Sequence, residues 1–191
     1  MTHSSLTTPI RLAAVGLGVA VTAAAAQFTM PVPLTAVPFT FTPLAVVLTG
    51  AALGSRLGAL TQALYVLIGA MGFAVFAPSP TLPPGLLRVL GPTGGYLLAY
   101  PLAAFVAGWL AGRGWGRRYV TSFGAMLAGM AVIHLGGVSW LAVAFTHSLP
   151  AAIAAGSLQF VAADVMKAAV AALILPQAWR LAGRPHGREE S

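Results

Sequence analysis

The sequence contains no cysteine, which excludes disulfide bonds, cysteine-ligated zinc, iron–sulfur clusters and thiol nucleophiles. Acidic residues are almost as scarce. The chain has only Asp164, Glu189 and Glu190. A carboxylate cluster that binds a metal ion, or a carboxylate pair that performs acid–base catalysis, needs several acids close together. We therefore expect neither a metal site nor carboxylate-pair catalysis in the apolar part of the chain, where Asp164 is the only acid.

Charged residues of either sign make up only 7% of the 191 positions, whereas 58% are hydrophobic. Soluble domains carry roughly a quarter charged residues, so this chain is predicted to be an all-α integral membrane protein. Six transmembrane helices of about 20 apolar residues each leave room only for loops and tails. The formal net charge of +7 does not indicate nucleic-acid binding, because the basic residues are scattered between long apolar runs.

The apolar segments between charges are predicted to form six transmembrane helices, at about 10–29, 43–54, 57–74, 93–112, 118–146 and 152–181. They belong to one membrane domain over 10–182, with tails at 1–9 and 183–191. The prolines between positions 31 and 43 predict irregular backbone before the second helix. A signal peptide cleaved before Gln27 is the less favoured alternative, because more apolar chain follows it.

The distribution of basic residues predicts an orientation in the membrane. Six spans place both termini on one side, together with Arg11, Arg56, Arg113, Arg117, Arg118, Arg180, Arg184 and Arg188. Only Arg88 falls on the other side, and Lys167 falls within a span. The positive-inside rule then makes both termini cytoplasmic, and we expect the protein in a bacterial inner membrane.

Asp164 and Lys167 are the only acid and the only base within the predicted spans. Their spacing of three places them on one helical face. Each costs at least ~2.5 kcal/mol at the centre of a bilayer, so such residues usually face a bundle interior or a water-filled cavity and mark function. We predict that they bind a ligand. The alternative is that they only neutralise each other inside the bundle.

Three unusual segments reach the same predicted depth. Counting about 1.5 Å per residue from the inner arginine that ends each helix places Asp164 at about 24 Å, Tyr96 at about 26 Å and Phe41 at about 22 Å. All three levels lie in the outer half of a hydrocarbon core about 30 Å thick. This arrangement predicts a pocket that opens outward.

The segment Gly91-Pro-Thr-Gly-Gly-Tyr96 lacks the lysine of a phosphate-binding loop, so we do not expect this chain to hydrolyse ATP. Its glycines let backbone amides approach either a ligand or a neighbouring helix, and the residue types leave both open. His134 and His147 are interpreted as isolated imidazoles without metal-site spacing. Ser139 precedes tryptophan and does not match an intramembrane protease, so no enzyme is predicted.

Four segments, taken together and in this order, resemble the BioY family: Val37-Pro-Phe-Thr-Phe-Thr-Pro-Leu-Ala45, Leu53-Gly-Ser-Arg-Leu-Gly-Ala59, Gly91-Pro-Thr-Gly-Gly-Tyr96 and Ala163-Asp-Val-Met-Lys-Ala168. The resemblance runs from about residue 10 to about residue 178. That family consists of biotin-capturing S components of energy-coupling-factor (ECF) transporters. The resemblance implies a six-helix ECF S-component fold, biotin as transported substrate and no cofactor. It also implies a transmembrane coupling protein and cytosolic ATPase subunits as partners, and leaves self-association open.

The resemblance also implies which residues bind biotin. Asp164 would accept from the ureido N–H groups, and Lys167 would bind the carboxylate with help from the amides near Gly94 and Gly95. The other implied contacts are Thr93, Tyr96, Phe39 and Phe41. Arg88 is a further candidate for the carboxylate, although a lone outer arginine more often faces solvent or lipid headgroups. The sequence departs from the family pattern at Ala162-Ala163, where Pro-Gly often precedes the aspartate.

Small residues at intervals of four form a ladder on the first predicted helix: Gly16, Ala20 and Ala24. Such ladders let membrane helices approach closely, and the resemblance implies that this one docks the coupling protein. The alternative is packing within the chain. Two other functions stay open at this point, namely capture of a different vitamin and a scaffold that transports nothing.

Overall fold

A computed structural model describes residues 8–30, 32, 35, 37–79 and 82–182, with the backbone alone for 178–182. The predicted tails lie outside these residues, apart from the start of the first helix. The elements are α1 (Thr8–Gln27), β1 (Thr29–Met30), β2 (Phe39–Thr40), α2 (Thr42–Leu53), α3 (Ser55–Ala70), α4 (Leu86–Leu90), α5 (Gly94–Gly112), α6 (Tyr119–Leu141), α7 (Leu149–Ile153) and α8 (Val161–Ala182). The chain is mostly helical, and β1 pairs antiparallel with β2 in a short hairpin that the all-α prediction does not contain.

Among the described residues, three helical segments are long and apolar enough to cross a membrane, namely Thr8–Gln27, Gly94–Gly112 and Tyr119–Thr146. A fourth span is formed if the bent pair Leu149–Leu158 and Val161–Gln177 counts as one. The second and third predicted spans correspond to the shorter helices α2, with 12 residues, and α3, with 16. Six full spans therefore stay a prediction.

The helix predicted at 152–181 is not continuous. After α7 the chain forms a π-helical segment, Ala154–Leu158, and then bends by 44° before α8. The hydroxyl of Tyr96 donates to the carbonyl of Gly156, which satisfies a backbone group in the distorted segment. Phe160 is buried at the bend. Breaks of this kind are frequent at functional sites, and this one places Asp164 in the first turn of α8.

Helix α5 lies at the centre of the bundle and packs against α2, α3 and α6, while α1 packs against α2 and α3, and α8 against α6 and α2. Small residues allow this close packing. The backbone of α5 at Ala104 leaves no room for a side chain at Gly50 of α2, and Gly58 of α3 lies against Gly50 in turn. At these contacts, therefore, a methyl group would force the helices apart.

The bundle has two chemically different ends. Helices α1, α3 and α6 begin, and α5 ends, near one end, which carries Arg11, Arg56, Arg113, Arg117 and Arg118. The opposite end has the β-hairpin, α4 and the first turns of α2, α5 and α8. Proline opens α2 within its first two residues, and Thr93 precedes α5. The polar groups described next lie at this second end.

Candidate functional site

One cavity opens at the hairpin end of the bundle. Its empty space, including the open mouth, is about 660 Å³. Its wall combines apolar side chains with polar ones from β2, from helices α2 to α6 and α8, and from the loop before α5. The polar members are Thr40, Thr42, Tyr65, Arg88, Thr93, Tyr96, Tyr100, His134, Asp164 and Lys167. Ligand sites of small molecules have this character, namely a mostly apolar hollow with a few convergent polar groups.

Asp164 lies at the centre of a buried polar cluster. The Lys167 ammonium donates to its Oδ1 at 2.7 Å, and His134 Nε2 lies 2.8 Å from its Oδ2. Asp164 and Lys167 are buried, whereas the His134 side chain keeps 18% of its surface exposed. The two charges thus pair in the wall of a cavity, which combines the two alternatives that the sequence left open: they neutralise each other and they face a hollow.

The aromatic rings of the hairpin region lie beside this cluster. The Lys167 ammonium is 3.9 Å from the ring centroid of Phe39 and 6.0 Å from that of Phe41. The two rings contact each other edge to face, and Phe41 is exposed. Phe39 therefore shields the ammonium by a cation–π contact. Neither ring lines the cavity itself. The neighbouring residues Thr40 and Thr42 do line it.

Arg88 of α4 is buried, so the expectation that it faces solvent or headgroups is wrong. Its Nε, Nη1 and Nη2 donate to the carbonyls of Pro83, Ala77 and Leu82 at 3.0 to 3.1 Å. These bonds hold the loop that precedes α4. A guanidinium has five N–H donors, so two are left for another acceptor. Burial lowers the pKa of Arg88, but an arginine starts from so high a value that it stays charged.

Thr93 and Tyr96, at the start of α5, both line the cavity. The Tyr96 hydroxyl is engaged by Gly156 of the broken segment. The hydroxyl of Thr93 is buried and makes no hydrogen bond with the described residues. Thr93 therefore has a donor and an acceptor that a bound molecule could use.

Gly94 and Gly95 do not line the cavity. A side chain at Gly94 would meet the carbonyl of Val89, and one at Gly95 would meet Trp140 and the backbone of α6. Gly95 also borders a separate apolar groove between α5 and α6. Of the two uses that the sequence left open for these glycines, the structure shows close helix packing.

His134 is predicted from the sequence to be an isolated imidazole, whereas in the structure it lies beside Asp164. A signal was present, because His134 lies 16 residues after Arg118, or about 24 Å along α6. That is the level predicted for Asp164. The described residues hold no group of three His, Cys, Asp or Glu side chains that could bind a metal ion.

The small-residue ladder lies on the outer surface of α1. Gly16, Ala20 and Ala24 are all exposed, and a Cβ added to Gly16 would have no atom within 4 Å. The buried residues of α1 are on another face, for example Gly18 and Thr22. Packing within the chain therefore does not account for the ladder.

The chain is similar to known proteins over most of its length. The model of the BioY family matches residues 1–184. A protein of Pyrococcus horikoshii named "Probable biotin transporter BioY" is 42% identical over 165 residues, covering 84% of this chain and 90% of the relative. The "Biotin transporter BioY" of Thermotoga maritima is 41% identical over 143 residues, covering 75% and 81%.

A solved structure described as the S-component for biotin from an ECF-type ABC transporter has the same fold. The TM-score is 0.82 over 94% of this chain and 95% of that chain, at 19% sequence identity. At this identity the likeness shows the S-component fold alone. Membership rests on the family model and the two relatives, and they show that the chain belongs to the BioY family.

Proposed function

We propose that this chain is the substrate-binding S component of a biotin uptake transporter, which captures biotin from outside the cell. The observation that carries the proposal is the buried cluster of Asp164, Lys167 and His134 in the wall of one cavity. Charges are costly inside a membrane domain and are normally kept for a ligand or a transport path. Family membership and relatives named biotin transporters support biotin as that ligand.

Biotin has two chemically different ends, and the cavity wall has groups suited to each. The ureido ring has N–H donors for Asp164 and a carbonyl for Lys167, whose ammonium has two donors besides the one bound to Asp164. The valerate carboxylate needs a cation, and we assign it to Arg88. This differs from the expectation that Lys167 binds the carboxylate, because the ammonium already pairs with Asp164.

The remaining parts of the proposal follow from the family and from the charge distribution. The chain crosses a bacterial inner membrane six times with both termini in the cytoplasm, because the arginine-rich end then lies inside and the cavity opens outside. ATP is hydrolysed by cytosolic ATPase subunits that act through a transmembrane coupling protein. The chain itself catalyses no reaction and uses no cofactor. Capture of a different vitamin is the main alternative, since one fold can carry different pockets.

Isothermal titration calorimetry on the detergent-solubilised protein tests the proposal. We expect wild type to bind biotin without ATP, and Asp164→Asn and Lys167→Ala each to bind at least about thirtyfold more weakly, since each substitution breaks a buried charge pair. Met166→Leu, at an exposed position of the same helix, is the control and should bind as wild type does. Heat with another vitamin but none with biotin would transfer the assignment.

A further inference from the structure

The Lys167 ammonium has a different neighbour on each of three sides. It donates to Asp164 Oδ1 at 2.7 Å, and it lies over the ring of Phe39, 3.9 Å from the ring centroid. Its third side is the cavity, which Lys167 lines. An ammonium has three N–H donors, and the face of an aromatic ring is negative. The carboxylate and the ring therefore satisfy two donors and leave one for a bound molecule.

The pairing of the two strands places the Phe39 ring outside the cavity. Met30 of β1 pairs with Phe39, and Thr29 pairs with Thr40. Successive side chains of a strand point to opposite faces, so Thr40 lines the cavity while Phe39 does not. Phe39 is half-buried, and the ring of Phe41 meets it edge to face at 5.7 Å between centroids. The hairpin thus holds the Phe39 ring against the ammonium without placing it in the cavity.

Entry of a ligand changes the strength of the contact between ring and ammonium. A cation–π contact is weak where water reaches the cation and stronger where water is excluded. A ligand that fills the cavity displaces water from the side of Lys167 that faces it. Part of the stabilisation by the Phe39 ring is therefore gained only in the bound state. A contact that is stronger in the bound state raises the affinity, although the ring itself does not touch the ligand.

We propose that Phe39 is a positioning residue for biotin, whose ring compensates the Lys167 ammonium for the water lost on binding and keeps its third N–H directed at the ureido carbonyl. This inference rests on the proposed function, which assigns the ureido ring to Asp164 and Lys167. Phe39 then acts on biotin through Lys167, in place of the direct contact that the family resemblance implies. Phe41 contributes less, because its ring centroid lies 6.0 Å from the ammonium.

Fluorinated phenylalanines separate the charge distribution of the ring from its shape. Fluorine withdraws negative charge from the ring face and hardly alters its size. Phe39 is replaced by mono-, di- and trifluorinated phenylalanine, and calorimetry on the detergent-solubilised protein measures biotin binding. We expect the affinity to fall at each step and to be at least about fivefold below wild type for the trifluorinated ring. The same series at Phe105, an exposed ring on α5, is the matched control and should bind as wild type does.

A natural substitution extends the series. Leucine is apolar but has no negative face, so we expect Phe39→Leu to bind biotin at least about tenfold more weakly than wild type. Because the fluorinated rings keep the shape of phenylalanine, the result does not depend on whether Phe39→Leu folds. An affinity that stays equal through the fluorinated series, or rises with fluorination, would overturn this inference and leave the proposed function standing. A wild-type protein that binds no biotin would overturn both.

Discussion

At the scale of single residues, Arg88 is a buried cation whose charge meets no acid. Asp164 is the only acidic residue in the part of the chain that the structure describes, and it is bonded by Lys167 and His134. The three carbonyls that Arg88 binds are dipoles, which solvate the guanidinium without cancelling its charge. The cavity therefore carries a net positive charge before a ligand enters, which suits a molecule with one carboxylate.

The role of Arg88 can be tested with a ligand that lacks the negative charge. We expect wild type to bind biotin at least about tenfold more tightly than biotin amide, because a hydrogen bond between charged groups contributes about 1.5–3 kcal/mol. In Arg88→Gln the two ligands should bind with similar affinity. Calorimetry with both ligands gives the comparison. If Arg88 only held the loop before α4, the substitution would weaken both ligands by the same factor.

At the scale of the elements, a fully buried glutamine joins three helices. Gln62 Nε2 of α3 donates to Thr22 Oγ1 of α1 at 3.0 Å and to Thr49 Oγ1 of α2 at 2.8 Å. Each threonine hydroxyl donates in turn to a carbonyl of its own helix. Hydrogen bonds between helices in a membrane contribute about 0.6 kcal/mol on average. The amide therefore mainly fixes how α1 sits on α2 and α3.

The loss in free energy of unfolding when these hydrogen bonds are removed depends on whether the glutamine or the two threonines are substituted. Gln62→Leu should lower the free energy of unfolding by less than about 1 kcal/mol, because both hydroxyls keep their bonds to helix carbonyls and the unpaired Oε1 is also removed. The double substitution Thr22→Val and Thr49→Val should cost more, since it strands a buried amide. Unfolding in detergent, followed by circular dichroism, measures both. A larger loss in Gln62→Leu would contradict this account.

Some elements could be predicted from the sequence, and others depend on contacts between distant segments. The apolar run predicted at 93–112 forms α5 at Gly94–Gly112, since glycine and arginine at its edges limit the helix. At the break before α8, the hydroxyl of Tyr96 donates to the carbonyl of Gly156, which lies 60 residues further along the chain. The burial of Arg88 likewise depends on loop carbonyls. The hydropathy of a segment carries no information about hydrogen bonds with distant segments.

The candidate site was likewise predictable only in part from the sequence. Asp164 and Lys167 could be predicted as partners, because a spacing of three brings their side chains together on any helix. His134 was not predicted, because a single histidine in an apolar helix has the same neighbours in sequence whether it faces lipid or a cavity. Only its depth, about 24 Å along α6, distinguished it.

At the scale of the whole molecule, the surfaces proposed for the ligand and for the partner are separate. The cavity lies at the hairpin end, while Gly16, Ala20 and Ala24 form an exposed ladder along the outside of α1. None of these three residues lines the cavity. A transporter subunit that binds its substrate by itself and then works with a coupling protein needs this separation. We therefore expect substitutions on the ladder to affect the two activities differently.

Bulky side chains on the α1 ladder would test whether it docks the coupling protein. Gly16→Trp and Ala20→Trp should leave biotin affinity and folding unchanged, because both positions are exposed and Gly16 has open space beside it. Each should abolish co-purification with the transmembrane coupling protein, since a bulky ring prevents close approach of a partner helix. Leu135→Trp, at an exposed position of α6, controls for the bulk of tryptophan on the membrane-facing surface. Loss of biotin binding in the α1 variants, or full recovery of the complex, would show that α1 is not the docking helix.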